Sequence, residues 1–380
     1  MTNLIYLDNA ATTKPLQEVV DTIKEIQENN YGNASSLHSL GINADNLLSN
    51  SRKLIANSIN ANENQIIFTS GGTESNNLAI KGSIKNKKGK IITTKIEHPS
   101  VLNVFKSLEE DFEVVYLNVN KEGFVDLEQL KKEVDENTLL VSIIHANNEI
   151  GTIQDIKQIS KIIKGKNPNT LFHIDACQSF TKASLDVEGI DLMTINSHKI
   201  HGPKGIGALF VKDKNLLKQI TQGGHQEFNK RAGTENIPAI VGFAKAVEVG
   251  MNEKDKNISQ MKEQQTYFIE KVLNEIPNTE LNGPKERLCN NINITFSLIE
   301  GEGLLMMLNE KEICVSTGSA CSSKILEASH VILALGKKHE DAHGTIRFSL
   351  SKFTTKEELD YTIEKLKESV NILRRVSHLN

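Results

Sequence analysis

Residues 171–211 read LFHIDACQSFTKASLDVEGIDLMTINSHKIHGPKGIGALFV. Three apolar runs stand in this stretch, LFHID (171–175), LMTIN (192–196) and IGALFV (206–211), and the first two end in loops crowded with polar side chains. Their apolar residues follow one another without polar alternation, the pattern of strands covered on both faces. Outward from them, QIIFTS (65–70), KIITT (90–94), EVVYLNV (113–119) and LLVSIIH (139–145) have the same texture. Segments between these runs, such as LEQLKKEVDEN and IKQISKIIKGK, space their apolar residues as helices do. Strands alternating with helices predict an α/β fold with a mostly parallel sheet and right-handed crossovers.

After about residue 250 the texture changes. A charged helical stretch (251–276) leads to short strands in NNINITF (290–296), EICVS (312–316) and GTIRFSL (344–350). Helices are expected around 301–310 and 325–335, with a C-terminal helix from about 355. This reads as a smaller α+β domain. The division expected is 15–255 for a large cofactor-binding domain and 1–14 with 256–380 for the smaller one.

The chain has 380 residues, enough for two or three domains or one large core with an appendage. Its formal net charge is −4 with 24% charged residues and no long basic run. That argues against nucleic acid or an anionic membrane as a direct partner. No apolar run approaches the roughly 18 residues a membrane span needs, and MTNLIYLDNAATT lacks the basic and apolar regions of a secretory signal. A soluble, cytoplasmic protein is expected. Four cysteines (Cys177, Cys289, Cys314 and Cys321), none in a CxxC pair, make neither a disulfide framework nor a zinc ribbon.

In an open α/β sheet, ligands bind where strands run out into loops. After QIIFTS comes GGTESNN, whose glycines and Thr73 open a helix able to cradle an anion, or simply start a helix. His98 follows KIITT, and Asn147, Asn148 and Glu149 follow LLVSIIH; each alone reads more often as structure. Asp175 ends an apolar run, where a carboxylate is costly to bury without a positive partner. Lys199 lies after LMTIN in a loop bounded by glycine and proline, where a semi-buried lysine can lose its proton and form a Schiff base. A Schiff-base lysine, a carboxylate for a pyridinium nitrogen, a phosphate cradle and a stacking ring are together the requirements of pyridoxal 5'-phosphate.

The order of motifs carries a resemblance. YLDNAATT, YGNASSLH, GGTESNN, EHPSV, HANNEIG, HIDACQ, SHKIHGPKGIGAL, RAGTEN, STGSACSS and GTIRFSL, running from residue 6 to about 354, resemble in sequence those of the cysteine desulfurases of the NifS/IscS kind. The resemblance implies the aspartate-aminotransferase-like fold (fold type I), pyridoxal 5'-phosphate as cofactor, and a homodimer. It implies that Lys199 carries the cofactor, Asp175 pairs with the pyridinium nitrogen, Gln178 with the phenolic oxygen, and that His98 stacks on the ring. Gly72, Thr73 and His198 are implied to hold the phosphate, with Thr234 contributed by the partner subunit. Asn148, also counted among the cofactor-binding residues, and Arg347 are implied to fix the substrate carboxylate, and Cys321 is the implied nucleophile. The reaction implied is L-cysteine to L-alanine, with a persulfide left on Cys321 for an iron–sulfur scaffold or a tRNA-thiolation protein.

The residues agree in part with this. Arg347, between Ile346 and Phe348, offers a planar fork matched to a carboxylate. Cys321 sits among small polar residues that cannot pack a core, whereas the other three cysteines lie in apolar or strand-like settings. The chain also departs from the family pattern. Asn196 stands where a serine is usual, so that phosphate contact passes to Ser197 or to the amide of Asn196. QEFNKR (226–231) puts Phe228 in place of an arginine, SLSK (349–352) replaces SLGR, and Ala34 replaces a proline. His339 and His343 have helical metal-site spacing but no evident third ligand. Selenocysteine lyase and cysteine-sulfinate lyase share the same cofactor requirements, and a silent scaffold retaining the fold is the reading from another class.

Overall fold

The computed structural model describes residues 4–85, 87–317 and 328–376. Strand β1 is Ile5–Tyr6. All seven apolar runs of the first two-thirds of the chain form strands: β2 (Ile66–Thr69), β3 (Lys90–Thr94), β4 (Glu113–Leu117), β5 (Thr138–Ile144), β6 (Leu171–Asp175), β7 (Leu192–Asn196) and β8 (Gly207–Val211). They make one sheet in the order β2-β8-β7-β6-β5-β3-β4. The pairs β4–β3, β3–β5, β5–β6 and β6–β7 are parallel, while β8 runs against both its neighbours, β7 and β2. The reversal has a plain cause. A parallel crossover needs a dozen or more residues, and residues 197–206 between β7 and β8 are too few. The chain must turn back, and Lys199 rides in that turn.

Both faces of the sheet are covered, as the unbroken apolar runs require. Phe172, Ile174, Met193, Ile195 and Phe210 pack on one face with the helices Ser39–Asn57 and Ile237–Asn252. Ile67, Leu140, Leu192 and Leu209 pack on the other with Gly72–Ile84 and Pro99–Lys106.

The remainder of the chain adds β9 (Thr279–Leu281), β10 (Asn291–Phe296), β11 (Ile313–Cys314), β12 (Ser316–Thr317) and β13 (Thr345–Ser349). An antiparallel sheet, β12-β13-β10-β9, packs on the helices Lys254–Glu275 and Lys356–Val376 through Phe268, Phe348, Leu359 and Leu366. EICVS, expected as one strand, divides at Val315: β11 pairs with β1, and β12 pairs with β13. The charged helix starts at Lys254, the preceding Glu253 closing the helix Ile237–Asn252. The N-terminal segment ties the two sheets together. Leu7 is buried in the second core, Asn9 donates to the Ser349 carbonyl, and Thr13 binds the His198 carbonyl through its amide and its hydroxyl. Among the described residues no helix is long and apolar enough to cross a membrane.

One buried ion pair ties the Ser39–Asn57 helix and β2 to the turn at residues 227–229. Arg52 forks onto Glu227 with both contacts at 2.7 Å, and Glu227 also accepts the Phe68 amide. Phe228 lies over the Arg52 guanidinium at 5.0 Å, so the residue that departs from the family's arginine covers this pair. Glu227, Phe228 and Asn229 all have positive φ, a strained turn held by the pair. Beyond the turn, Arg231 bonds Glu74 at 2.8 Å, in the first turn of the Gly72–Ile84 helix. Arg52→Ala strands the Glu227 carboxylate in the interior. The expected cost is about 3–5 kcal/mol of unfolding free energy, read from denaturant midpoints; a loss below about 1 kcal/mol contradicts a buried pair.

Candidate functional site

The ends of β2, β3, β5, β6 and β7 open into a cavity of about 310 Å³ at the edge where the two sheets meet. It brings together nine of the residues expected from the sequence. Gly72 and Thr73 come from the start of a helix, His98 from the loop after β3, and Asn148 from the loop after β5. Asp175 and Gln178 follow β6, His198 and Lys199 follow β7, and Arg347 reaches in from β13.

Asp175 is buried at the end of β6, opposite Thr194 of β7. Burial alone would raise its carboxyl. The Cys177 amide at 2.9 Å, His98, the Asn76 amide at 2.8 Å and Lys199 outweigh it and hold Asp175 below the ordinary range. Asn76 also donates to the Ser100 hydroxyl at 2.8 Å, and that hydroxyl lies 2.7 Å from His98 Nδ1. The Ser100 amide donates to the same nitrogen. Nδ1 is therefore an acceptor and the ring proton sits on Nε2. Burial first, then the charge of Lys199, lowers His98 to about 4, so the ring is neutral at neutral pH. Sequence reasoning missed Asn76 and Ser100. The available signals were Asn76 lying one turn after Thr73, and the Pro99 that makes His98 a helix N-cap.

Of the two candidates for the displaced serine contact, Asn196 lines the cavity and Ser197 does not. Ser197, expected among the cofactor-binding residues, is wholly buried. A Cβ on Gly202 would stand 2.0 Å from its hydroxyl, and its amide and carbonyl close the turn onto Ile206, Ile200 and Gly202. A hydroxyl facing Gly202 inside the turn sets Ser197 apart from the cavity lining. Asn196 keeps its Oδ1 buried without a partner, and its Nδ2 lies 3.3 Å from His198 Nε2. Burial, then Lys199, lowers His198 to about 4. Gly72 has to be glycine, since a Cβ there would meet the Cys177 sulfur at 2.8 Å. Gln178 donates to the Ala10 carbonyl at 2.9 Å.

Arg347 is 2% exposed; it donates to Asp8 at 2.9 Å and to the Asn148 carbonyl at 3.1 Å, and its Nε is buried without a partner. Asp8 was not singled out from the sequence. These features fit pyridoxal 5'-phosphate and an amino-acid substrate. There is an amine on a turn, an ionised buried carboxylate, a glycine-lined helix start, and an orphaned donor, Arg347 Nε, that a carboxylate would satisfy.

Beneath the cavity, Glu97 is fully buried. Its Oε1 accepts from the Thr94 hydroxyl and the Ile144 amide, and its Oε2 has no partner. Burial raises its carboxyl from 4.5 to about 8. The folded protein keeps this proton where the unfolded chain has lost it. The stabilising contribution is thus complete below pH 4.5 and is lost as the pH rises to about 8. Unfolding free energy of the natural protein is expected to fall relative to Glu97→Gln across that interval; a difference independent of pH contradicts the burial argument.

Burial raises the thiol of Cys177 far above its ordinary value, that of Cys289 to about 11, and that of Cys314 as well. All three are held protonated. Thr234 lies exposed and outside the cavity of this chain, and Cys321 lies outside the described residues. Among the described residues no group of three or more His, Cys, Asp and Glu side chains is placed to hold a metal, the His339–His343 helix included.

The aminotransferase class-V family pattern matches residues 5–362. A cysteine desulfurase IscS of Dictyoglomus turgidum is 46% identical over 98% of this chain and 96% of its own length. A solved NifS-like protein superposes with a TM-score of 0.92 at 35% identity, covering 98% of this chain and all of that one. SspA, solved in complex with cysteine, superposes at 0.81 with 35% identity over 92% of this chain and 100% of its own. With its sheet order, its lysine turn and its cavity matched along almost the whole length, the chain belongs to the class-V aminotransferase family and, within it, to the cysteine desulfurases of the NifS/IscS kind.

Proposed function

We propose that this protein is a cysteine desulfurase in which Lys199 carries pyridoxal 5'-phosphate and Cys321 receives the sulfur of L-cysteine. The observation that carries this reading is the cavity that sets Lys199 and the ionised Asp175 at the ends of adjacent strands, with the orphaned Arg347 Nε beside them. The cysteine bound by the structurally similar SspA supports the substrate.

The cofactor supplies an electron sink for the charge that develops at the substrate α-carbon. Asp175, held ionised, would accept the hydrogen bond of the pyridinium nitrogen. His98, neutral with its Nε2 protonated, would stack on the cofactor, and Gln178 would donate to the phenolic oxygen in exchange for Ala10. The helix start at Gly72 and Thr73 would hold the phosphate with His198 and Asn196. Arg347 and Asn148 hold the substrate carboxylate, which fixes the α-proton in reach of Lys199 Nζ. Lys199 takes that proton and returns it. The thiolate of Cys321 attacks the substrate sulfur: the C–S bond breaks, its electron pair stays on carbon, and that carbon takes a proton to become the methyl group of alanine. A new S–S bond leaves the persulfide on Cys321. The raised thiols of Cys177, Cys289 and Cys314 favour Cys321 for this step.

The reading includes a cytoplasmic homodimer in which Thr234 of RAGTEN completes the phosphate site of the other subunit, consistent with its exposure here. The division at about residue 255 separates the cofactor-holding part from the part carrying the nucleophile. The persulfide passes to an iron–sulfur scaffold or a tRNA-thiolation protein. Borohydride reduction of the holoenzyme followed by peptide mapping tests the core of this reading. The pyridoxyl group is expected on Lys199, and its appearance on Lys204 or elsewhere overturns the assignment.

A further inference from the structure

The turn between β6 and the next element places a second lysine behind the first. Lys182 extends its ammonium to the backbone carbonyl of Lys199, at 3.0 Å. The neighbouring carbonyls of that turn are held by main-chain amides and a hydroxyl from the N-terminal segment: His198 by Thr13, His201 by Leu16. Lys182 is the charged side chain among these ties. It makes no ion pair among the described residues, which is unusual for an ammonium drawn into the interior.

The chain goes to some length to put it there. Thr181, immediately before, has φ of +62°, a conformation strained for a β-branched residue, and on the facing side of the same space His201 has φ of +66°. A small cavity of about 50 Å³ lies between the two turns, lined by Thr181, Lys182, Lys199 and His201. The groups facing Lys182 are the Lys199 amine, His198 and His201 from the lysine turn, Cys177 from its own turn, and Cys289 from the loop before β10, whose Sγ lies 3.8 Å from the Lys182 carbonyl. Lys352 and Glu253, paired at 2.7 Å, stand beyond His201. Burial and the charge of Lys199 lower Lys182 to about 8, leaving it cationic at neutral pH.

We propose that Lys182 is a positioning residue for Lys199: it holds the Lys199 carbonyl from behind and brings its positive charge to the back of the lysine turn. The inference rests on Lys199 being the cofactor lysine. A cation behind a Schiff-base nitrogen keeps that nitrogen poised to release and regain its proton, and a carbonyl tie fixes where the side chain starts. A merely structural lysine would need the tie alone.

The test titrates the visible absorbance band of the holoenzyme, without substrate, in Lys182→Met, Lys182→Gln and Lys182→Arg. Removing the charge raises the pH midpoint of the band by about one unit in the Met and Gln variants, while Arg stays near the natural protein. Cofactor content remains stoichiometric in all three. A midpoint unmoved in Met and Gln, or moved as far in Arg as in Met, overturns the proposal. Where Met fails to fold, the Gln–Arg comparison decides in the same way. Borohydride mapping of the natural protein separates this from the underlying reading. A pyridoxyl group absent from Lys199 sinks that reading and this proposal together, whereas its presence with an unmoved midpoint sinks this proposal alone.

Discussion

Lys199→Ala lowers turnover of L-cysteine by at least about a thousandfold and leaves no borohydride-fixed pyridoxyl peptide. Two other lysines of the region are poor substitutes. Lys204 is exposed and does not line the cavity, and the Lys182 ammonium is committed to the Lys199 carbonyl. The loss is expected to be chemical, with the fold intact. Lys199 belongs to a turn whose carbonyls are tied by Thr13, Leu16 and Lys182, and those ties do not involve its side chain. The unfolding midpoint should therefore stay within about 0.5 kcal/mol of the natural protein. Residual activity above about a tenth, with normal cofactor content, contradicts the role given to Lys199.

Cys321→Ala separates binding from sulfur transfer. Lys199, Asp175 and Arg347 are untouched by it, so cofactor content and the spectral change on adding L-cysteine persist. Alanine and sulfide production fall by about a hundredfold or more. The three cysteines of the described residues cannot take over, since burial holds the thiols of Cys177 and Cys289 protonated and the thiol of Cys314 is raised too. Normal turnover in Cys321→Ala, with loss in Cys177→Ala or Cys314→Ala, places the nucleophile elsewhere.

The seven strands of the large sheet were legible because a strand buried on both faces has to be apolar at consecutive positions, and LMTIN or LFHID cannot be mistaken for alternating patterns. The reversed direction of β8 was also within reach, since residues 197–206 are too few for a crossover. Strand β9 was not legible: TEL is short and half-polar, and it becomes a strand only by pairing with β10. EICVS hid its division because the partners that split it, β1 and β13, lie at opposite ends of the chain. In the site, motif order found the residues that face a ligand. It did not find those that orient them. Asn76 serves Asp175 from 99 positions away, and Arg347 meets Asp8 from 339 away, pairings that only the folded arrangement creates. Which of Asn196 and Ser197 faces the cavity was hidden for the same reason: neighbouring positions in a turn face opposite ways, and the close packing at Gly202 decides between them.

The central claim is that sulfur moves from L-cysteine to Cys321 by way of the Lys199 site. The most direct measurement is a single turnover with sulfur-labelled L-cysteine, followed by mass mapping of every cysteine-containing peptide. One added sulfur atom on the Cys321 peptide is expected, matched by one alanine and absent in Lys199→Ala. Label on Cys177, Cys289 or Cys314, or alanine formed with no sulfur left on the protein, contradicts the account.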